Sequence, residues 1–338
     1  MNLTILGAGS FGTAMSNHAA RLGHEVRLWC RGAAQAEAIN SKRINPRYLK
    51  GCELHEKVRA EANLERAVAF GEKIILAVPT QSLRDVLERL TALNCNSDLN
   101  SQPAGKKILS LAKGIEIASG KLPHQIAEAL LPGVSYSALS GPSHSEEVVR
   151  DLPTAVVIAS RSHQTAQEWQ KALNSSHFRI YTSDDLVGVE LGGAVKNVIA
   201  IAVGISQSLN FGDNAKAALA TRGLAEIAKL GATLGIAPLT LAGLAGTGDL
   251  MVTCYSHHSR NLRFGLAIGR GLSVEEATSE IGQVVEGAHT VKALVGYARK
   301  AGIELPLAEG VHAVLYEGAS IEQTLEKLFF REPKPELD

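Results

Sequence analysis

The sequence predicts an α/β protein, a doubly wound parallel sheet followed by an all-helical half. Three observations carry that prediction. A buried strand runs straight into a glycine-rich turn and a helix at the start of the chain. Short β-rich runs then alternate with helical patterns, the signature of a parallel sheet covered on both faces. Beyond about residue 187 the β signal disappears and only helical periodicity remains. At 338 residues the chain is long for one core, so two domains are expected, residues 1–186 and 187–330, with the boundary near residues 184–188.

The strand at 3–6 leads into Gly7-Ala8-Gly9-Ser10-Phe11-Gly12 and a helix at 13–22. Gly7 permits a tight turn, Gly9 lets the backbone approach a pyrophosphate, and Gly12 lets helix and strand pack together. Further strands are expected at 25–30, 73–78, 107–111, 135–139, 154–159 and 178–182, with helices such as 82–93 and 122–131 between them. The second half reads as helices at 187–209, 214–234, 262–268, 274–281, 290–301, 309–316 and 321–329, and the tail 331–338 as loose. The 187–209 run is long and apolar enough to suggest a membrane span. Glu190, Lys196 and Asn197 within it, and Gly192-Gly193 at its middle, argue instead for a central buried helix approached closely by its neighbours.

Lys+Arg and Asp+Glu balance at 34 each, which argues against a nucleic-acid surface, so local cations must hold any anionic ligand. Cys30, Cys52, Cys95 and Cys254 lack metal-finger or CxxC spacing and read as reduced thiols of a cytoplasmic protein. A strand beginning by residue 3 leaves no room for a leader, and no metal site is expected.

Several polar clusters sit where strands end or helices begin. Lys113, just past the fourth of these strands, either reaches a ligand phosphate or stays solvated. Ser140-Gly141-Pro142-Ser143-His144-Ser145 suits an oxyanion or phosphate, or is a simple turn with an N-cap. Lys196 lies on a helix too apolar to hold a lysine idly; desolvation or a nearby carboxylate would tune it as a proton donor and acceptor. Asp249, preceded by Gly246-Thr247-Gly248, orients a lysine, accepts a substrate hydroxyl or closes an Asx turn. Ser259 reads as an N-cap that places Arg260 and Asn261 in the first helical turn, beside free N–H groups that favour an anion. The adjacent His257 and His258 have no third partner for a metal. At the end of the second strand Arg31 stands where an NAD site commonly carries an acid, which fits a 2′-phosphate and favours NADPH.

Taken together, these segments resemble the bacterial-type NAD(P)-dependent glycerol-3-phosphate dehydrogenases. Matching stretches run in family order from residue 3 to about 290. They include Gly7–Gly12, Ala112-Lys113-Gly114, Ser140–Ser143, Val189–Asn197, Thr221–Glu226, Gly248-Asp249-Leu250, Ser259-Arg260-Asn261 and Gly282–Gly287. The resemblance implies a Rossmann-like first domain, use of NADP or NAD, and reversible interconversion of dihydroxyacetone phosphate and sn-glycerol 3-phosphate for glycerophospholipid synthesis. It implies Lys196 as general acid/base, with Lys113, Gly141, Ser143, Asp249, Ser259, Arg260 and Asn261 on substrate. Ser10, Phe11, Arg31, Lys113, Ser145, Arg260, Val284 and Glu286 would then join Gly7, Gly9 and Gly12 around the cofactor. Where the family more often carries an aromatic and an alanine, this chain has His144 and Ser145; Phe11 stands where Tyr or Trp is frequent.

Two competing readings share much of this pattern. One is a related two-domain dehydrogenase acting on another hydroxy acid or sugar phosphate; Ser259-Arg260-Asn261 and Lys113 favour a small phosphorylated substrate over it. The other is a non-catalytic dinucleotide sensor, which has no need of a lysine and a carboxylate converging on the nicotinamide. The apolar stretches of the helical half leave room for a homodimer.

Overall fold

The computed structural model describes residues 1–96 and 105–329, so the tail expected at 331–338 and the Cys95 side chain lie outside the described residues. Among them, β1 (Asn2–Leu6), β2 (Glu25–Trp29), β3 (Val58–Glu61), β4 (Lys73–Leu76), β5 (Lys107–Ser110), β6 (Ser135–Ser140), β7 (Thr154–Ala159) and β8 (Phe178–Ser183) form one sheet. Its order is β3-β2-β1-β4-β5-β6-β7-β8. Neighbours run parallel except β6 and β7, which are antiparallel. The expectation of a wholly parallel sheet is corrected there for a simple reason. The link from β6 to β7 holds only the single-turn helix Ser145–Val148, too short to carry the chain back along the sheet.

Other boundaries shift as well. The first helix is Ser10–Arg21 rather than 13–22, because the backbone of Gly9 turns directly into it without a side-chain cap. β3 escapes a hydrophobicity reading: Val58-Arg59-Ala60-Glu61 is short, charged and at the sheet edge. In the second half, the stretch between the helices expected at 214–234 and 262–268 contains the helix Pro238–Ala242, a π-helical turn Leu244–Gly248 and the helix Asp249–Tyr255. Its glycines interrupt the helical periodicity. They allow the Leu241 carbonyl to crowd against Gly246, where a Cβ would collide with it.

Each sheet face has its own core. Leu3, Ile5 and Leu28 pack with Met15 and Trp169 on one face, and Leu6, Ile74 and Leu76 with Leu87 and Ile126 on the other. Each such side chain contributes about 1.5–3 kcal/mol on burial. The long helix Leu186–Ser208 joins the two halves. Leu186 and Val189 belong to the second sheet core, whereas residues from Leu191 onward form the spine of the helical core. Although it is apolar enough to cross a membrane, 94% of its most apolar window is buried inside the protein. Its Glu190 is buried but fully occupied. The carboxylate accepts from the His124 backbone N–H, from His124 Nδ1 at 2.6 Å and from the Tyr136 hydroxyl at 2.8 Å. That network ties the helix to β6 and to the Pro123–Leu130 helix.

Further along, Gly204 of the long helix crosses Gly265 of the Arg260–Gly269 helix, and a Cβ on either would collide with the other's backbone. The two helices therefore pack main chain to main chain at this point.

Candidate active site

The strand order reverses at β1, whose neighbours are β2 and β4, and ligands of open α/β sheets bind beyond the carboxyl ends of strands at such a point. A cleft of about 1070 Å³ opens there and extends to the helical half. A second hollow, of about 510 Å³, lies between β7, β8 and the Pro238–Ala242 helix; it is lined by no charged side chain and has no catalytic chemistry to offer.

At the sheet end of the cleft Gly7 takes φ +121°, and a Cβ there would stand 2.5 Å from the Ala77 carbonyl oxygen after β4. Gly12 lies against the Gly7 carbonyl with no space for a side chain, while Gly9 meets nothing within 4 Å and faces open space. The result is a backbone cradle at a helix N-terminus, shaped for a dinucleotide pyrophosphate. Ser10, Phe11, Arg31 and Ser145 line the same cleft, and Ser10 reaches Gln283 of the helical half at 3.4 Å. Arg31 is exposed and, among the described residues, has no acidic partner, so its charge is available to an anion. Gly12 and Gly141 support the wall from behind rather than lining it.

On the opposite wall, Val284 and Glu286 close the cleft. One Glu286 oxygen accepts the Thr80 backbone N–H at 2.9 Å, and the other is buried with no partner. Burial pushes this carboxyl up to about 7, against the Thr80 N–H and the nearby Arg260, which favour its charged form. An unpartnered buried oxygen beside the cradle is a ready acceptor for a ligand hydroxyl or amide.

Deepest in the cleft is a lysine–carboxylate–lysine group. Lys196 Nζ lies 2.6 Å from Asp249 Oδ1 and donates to Thr253 Oγ1 at 2.7 Å. Lys113 Nζ lies 2.5 Å from Asp249 Oδ2 and 3.1 Å from the Gly141 carbonyl. Asp249 Oδ2 also receives the Ser140 hydroxyl and the Gly141 N–H, each at 3.3 Å. Burial dominates the lysine: with 6% of Lys196 exposed, desolvation and the Lys113 charge bring it down to about 8, although Asp249 acts in the opposite direction. Burial raises Asp249 too, but Lys113 and Lys196 together outweigh it and hold the carboxyl below its ordinary range.

This geometry follows from small residues placed where bulk is excluded. Gly192 lets the Ala245 carbonyl touch the long helix, and Gly193 does the same for Ser140 and the Lys113 stem. Lys196, one turn further on, thereby meets Asp249, the first residue of its helix. Thr253 was not anticipated; it lies four residues after Asp249 and would have been found had that helix been recognised. Asn197, Thr80, Gln283 and Tyr48 also line or support the cleft and were not singled out.

The turn before the Arg260–Gly269 helix has the expected cap. Ser259 Oγ accepts the Leu262 N–H and caps the Arg260–Gly269 helix. Arg260 donates one N–H to the Val284 carbonyl at 3.1 Å, leaving most of its donors for the cleft. The Asn261 side chain is already committed at both ends: it donates to Asn197 Oδ1 at 2.9 Å and accepts the Gly287 N–H at 3.0 Å. Ser143 lines the cleft with its hydroxyl turned to the Gly141 carbonyl. Among the described residues no group of His, Cys, Asp and Glu has metal-binding spacing, and Cys30, Cys52 and Cys254 are free thiols.

A dinucleotide cradle at a topological switch point, facing a buried lysine held by a carboxylate on a helical half, defines a two-domain nicotinamide-dependent dehydrogenase. Comparison with known proteins narrows the class. The chain belongs to the NAD-dependent glycerol-3-phosphate dehydrogenase family, matching its N-terminal part over residues 2–166 and its C-terminal part over residues 185–326. It is 43% identical to a glycerol-3-phosphate dehydrogenase [NAD(P)+] of Chlorobium limicola, with each chain covered completely. It is 44% identical to one of Pseudomonas syringae, covering 99% of this chain and 96% of that one. The crystal structure of glycerol-3-phosphate dehydrogenase from Coxiella burnetii superposes with a TM-score of 0.92 at 38% identity, covering 98% and 99% of the two chains. D-mandelate dehydrogenase, at 14% identity and a TM-score of 0.61, shares only the fold.

Proposed function

We propose that this enzyme reversibly reduces dihydroxyacetone phosphate to sn-glycerol 3-phosphate with NADPH or NADH, supplying the backbone for glycerophospholipids. The observation that carries the reading is the Lys196–Asp249 pair buried at the foot of a dinucleotide cleft, in a chain whose whole length matches this family. We assign the cofactor to residues 1–186 and most of the substrate contacts to 187–330.

When bound, the nicotinamide supplies the hydride. Gly7 and Gly9 would admit the cofactor's pyrophosphate, with Gly12 holding the turn from behind, and Ser10, Phe11, Ser145, Val284 and Glu286 would flank the cofactor. Arg31 would meet a ribose 2′-phosphate at the end of β2, which favours NADPH. Ser143, Ser259, Arg260 and the helix N-terminus hold the substrate phosphate, and binding that remote dianion contributes to closing the site around the reacting carbon. The Asn261 amide, tied to Asn197 and Gly287, positions Arg260. Lys196 donates its proton to the carbonyl oxygen as charge develops there, and takes it back in the reverse direction. Asp249 keeps that ammonium protonated near neutral pH and aims it, with Lys113 and Thr253 fixing the carboxylate and the amine in turn.

Loss of reduced-nicotinamide absorbance on mixing enzyme, NADPH and dihydroxyacetone phosphate tests the assignment. Turnover of a 2-keto acid in preference to the triose phosphate would replace it with a related dehydrogenase; cofactor binding without any turnover would favour the sensor. We place the enzyme in the cytoplasm, in keeping with its free thiols. A homodimer is the expected assembly, supported by the exposed Leu239, Met251 and Tyr255 on neighbouring helices of the second half; sedimentation analysis tests it.

A further inference from the structure

The substrate end of the cleft holds a feature that the mechanism above leaves unused. His144, the residue before the Ser145–Val148 helix, and His258, next to Ser259, line the same cleft as Ser143 and Arg260. Their rings meet edge to face with centroids 5.7 Å apart, and His258 in turn lies against His257 at 4.0 Å. His144 Nε2 lies 3.4 Å from the Val252 carbonyl oxygen. Its Nδ1 has no protein partner among the described residues, yet is not among the buried unpaired atoms, so it is open to solvent.

That arrangement has a chemical consequence. A carbonyl accepts only, so Nε2 must carry the hydrogen, and in a neutral ring Nδ1 is then a bare acceptor. A bare acceptor repels a phosphate oxygen, whereas a protonated Nδ1 forms a charge-assisted hydrogen bond with it. We propose that His144 is a ligand of the substrate's phosphate and takes up a proton at Nδ1 when the dianion binds. The inference rests on the proposed phosphate position beside Ser143, Ser259 and Arg260. The charged and titratable groups facing His144 are Lys196 from the long helix, Glu146 and Glu147 from its own turn, and His258 from the loop before Arg260. Burial and the Lys196 charge hold the free ring below its ordinary value, so it enters the encounter neutral. An incoming dianion reverses that balance. His144→Phe keeps a ring for the contact with His258 while removing the proton site.

Sulfate is a suitable probe, because it is a dianion throughout the range and any protons taken up belong to the protein. Calorimetry of sulfate binding at pH 7 in two buffers of different ionisation enthalpy should show uptake of a fraction of a proton per ion in the wild type. It should show clearly less in His144→Phe, where only Glu286 and Lys196 remain to respond, and retained uptake in His258→Phe. In turnover, KM for dihydroxyacetone phosphate should rise with pH above neutrality in the wild type, by at most about tenfold per unit for one linked proton. In His144→Phe that rise should flatten while KM for NADPH stays unchanged. Absence of sulfate binding, equal uptake in His144→Phe, or loss of uptake in His258→Phe alone overturns the assignment. Proton-coupled sulfate binding by an enzyme that does not reduce dihydroxyacetone phosphate would refute the proposed reaction and leave His144 as an anion ligand.

Discussion

Replacing Asp249 by Asn tests the central electrostatic claim, because it removes one charge and little volume. The carboxylate touches both Lys196 and Lys113, at 2.6 and 2.5 Å. Without it the two ammonium groups face each other in a buried site. A unit charge at about 4 Å in an effective dielectric of about 20 is worth about 4 kcal/mol, or roughly 3 pK units. Allowing for relaxation of both lysines, we expect Lys196 to fall from about 8 by some 2–3 units. At pH 7 the protonated fraction would then drop from about nine-tenths to a few per cent, a loss of about 30-fold in the reductive direction. The assay is the pH profile of kcat/KM for dihydroxyacetone phosphate reduction, which reports the free enzyme. In the wild type the rate should fall as pH rises through about 8. In Asp249→Asn the same fall should be complete below neutrality, with activity partly recovered toward pH 5. A break that stays near 8 in the variant would show that the carboxylate does not tune the lysine.

Lys196→Met should lower kcat by about 10²–10⁴-fold with cofactor affinity nearly unchanged, and near-normal turnover would remove Lys196 from proton transfer. The same variant has a stability signature. The lysine titrates at about 8 when folded and 10.5 when free, so the unfolded chain binds more protons between those values and wild-type stability should gain as pH rises through that window. The gain, about 3 kcal/mol, should be missing from the urea unfolding of Lys196→Met. Arg31→Asp should shift the NADPH/NADH ratio of kcat/KM toward NADH by about 10–100-fold, and an unmoved ratio would show that Arg31 does not read the 2′-phosphate. Arg260→Ala should raise KM for the phosphorylated substrate by a similar factor; an unchanged KM would take Arg260 out of the phosphate site.

Much of the site was legible because its chemistry is written in contiguous motifs. The glycines after β1 announce the cradle, and a lysine within an otherwise apolar helix announces a group kept for use. Ser259 caps its helix through the hydrogen bond that its position in the sequence suggests. What escaped was the partnership between distant segments. Lys113 reads as a candidate ligand residue, and the sequence hides that it also pairs with Asp249, 136 residues away. Asn261 reads as a substrate contact; the sequence hides that its amide also bridges Asn197 and Gly287, with one N–H not used by these bonds. Neither pairing leaves a local trace: the first depends on how the segment after β5 meets the Asp249–Tyr255 helix, the second on how the Arg260–Gly269 helix meets the long helix and Gly287. The antiparallel β6–β7 step was hidden for a related reason. Alternating β-rich and helical runs do not reveal on which end of the sheet a short connection re-enters.

The glycine-on-glycine crossing of Gly204 and Gly265 has a mechanical meaning. With no side chains to cushion the joint, sliding or tilting there would drive one main chain into the other. Lys196 and the turn bearing Ser259 and Arg260 are therefore braced against each other through bare backbone, and their spacing is fixed by that joint. By contrast, Ser10–Gln283 and Thr80–Glu286, which join the sheet half to the helical half beside the cradle, rest on one hydrogen bond each.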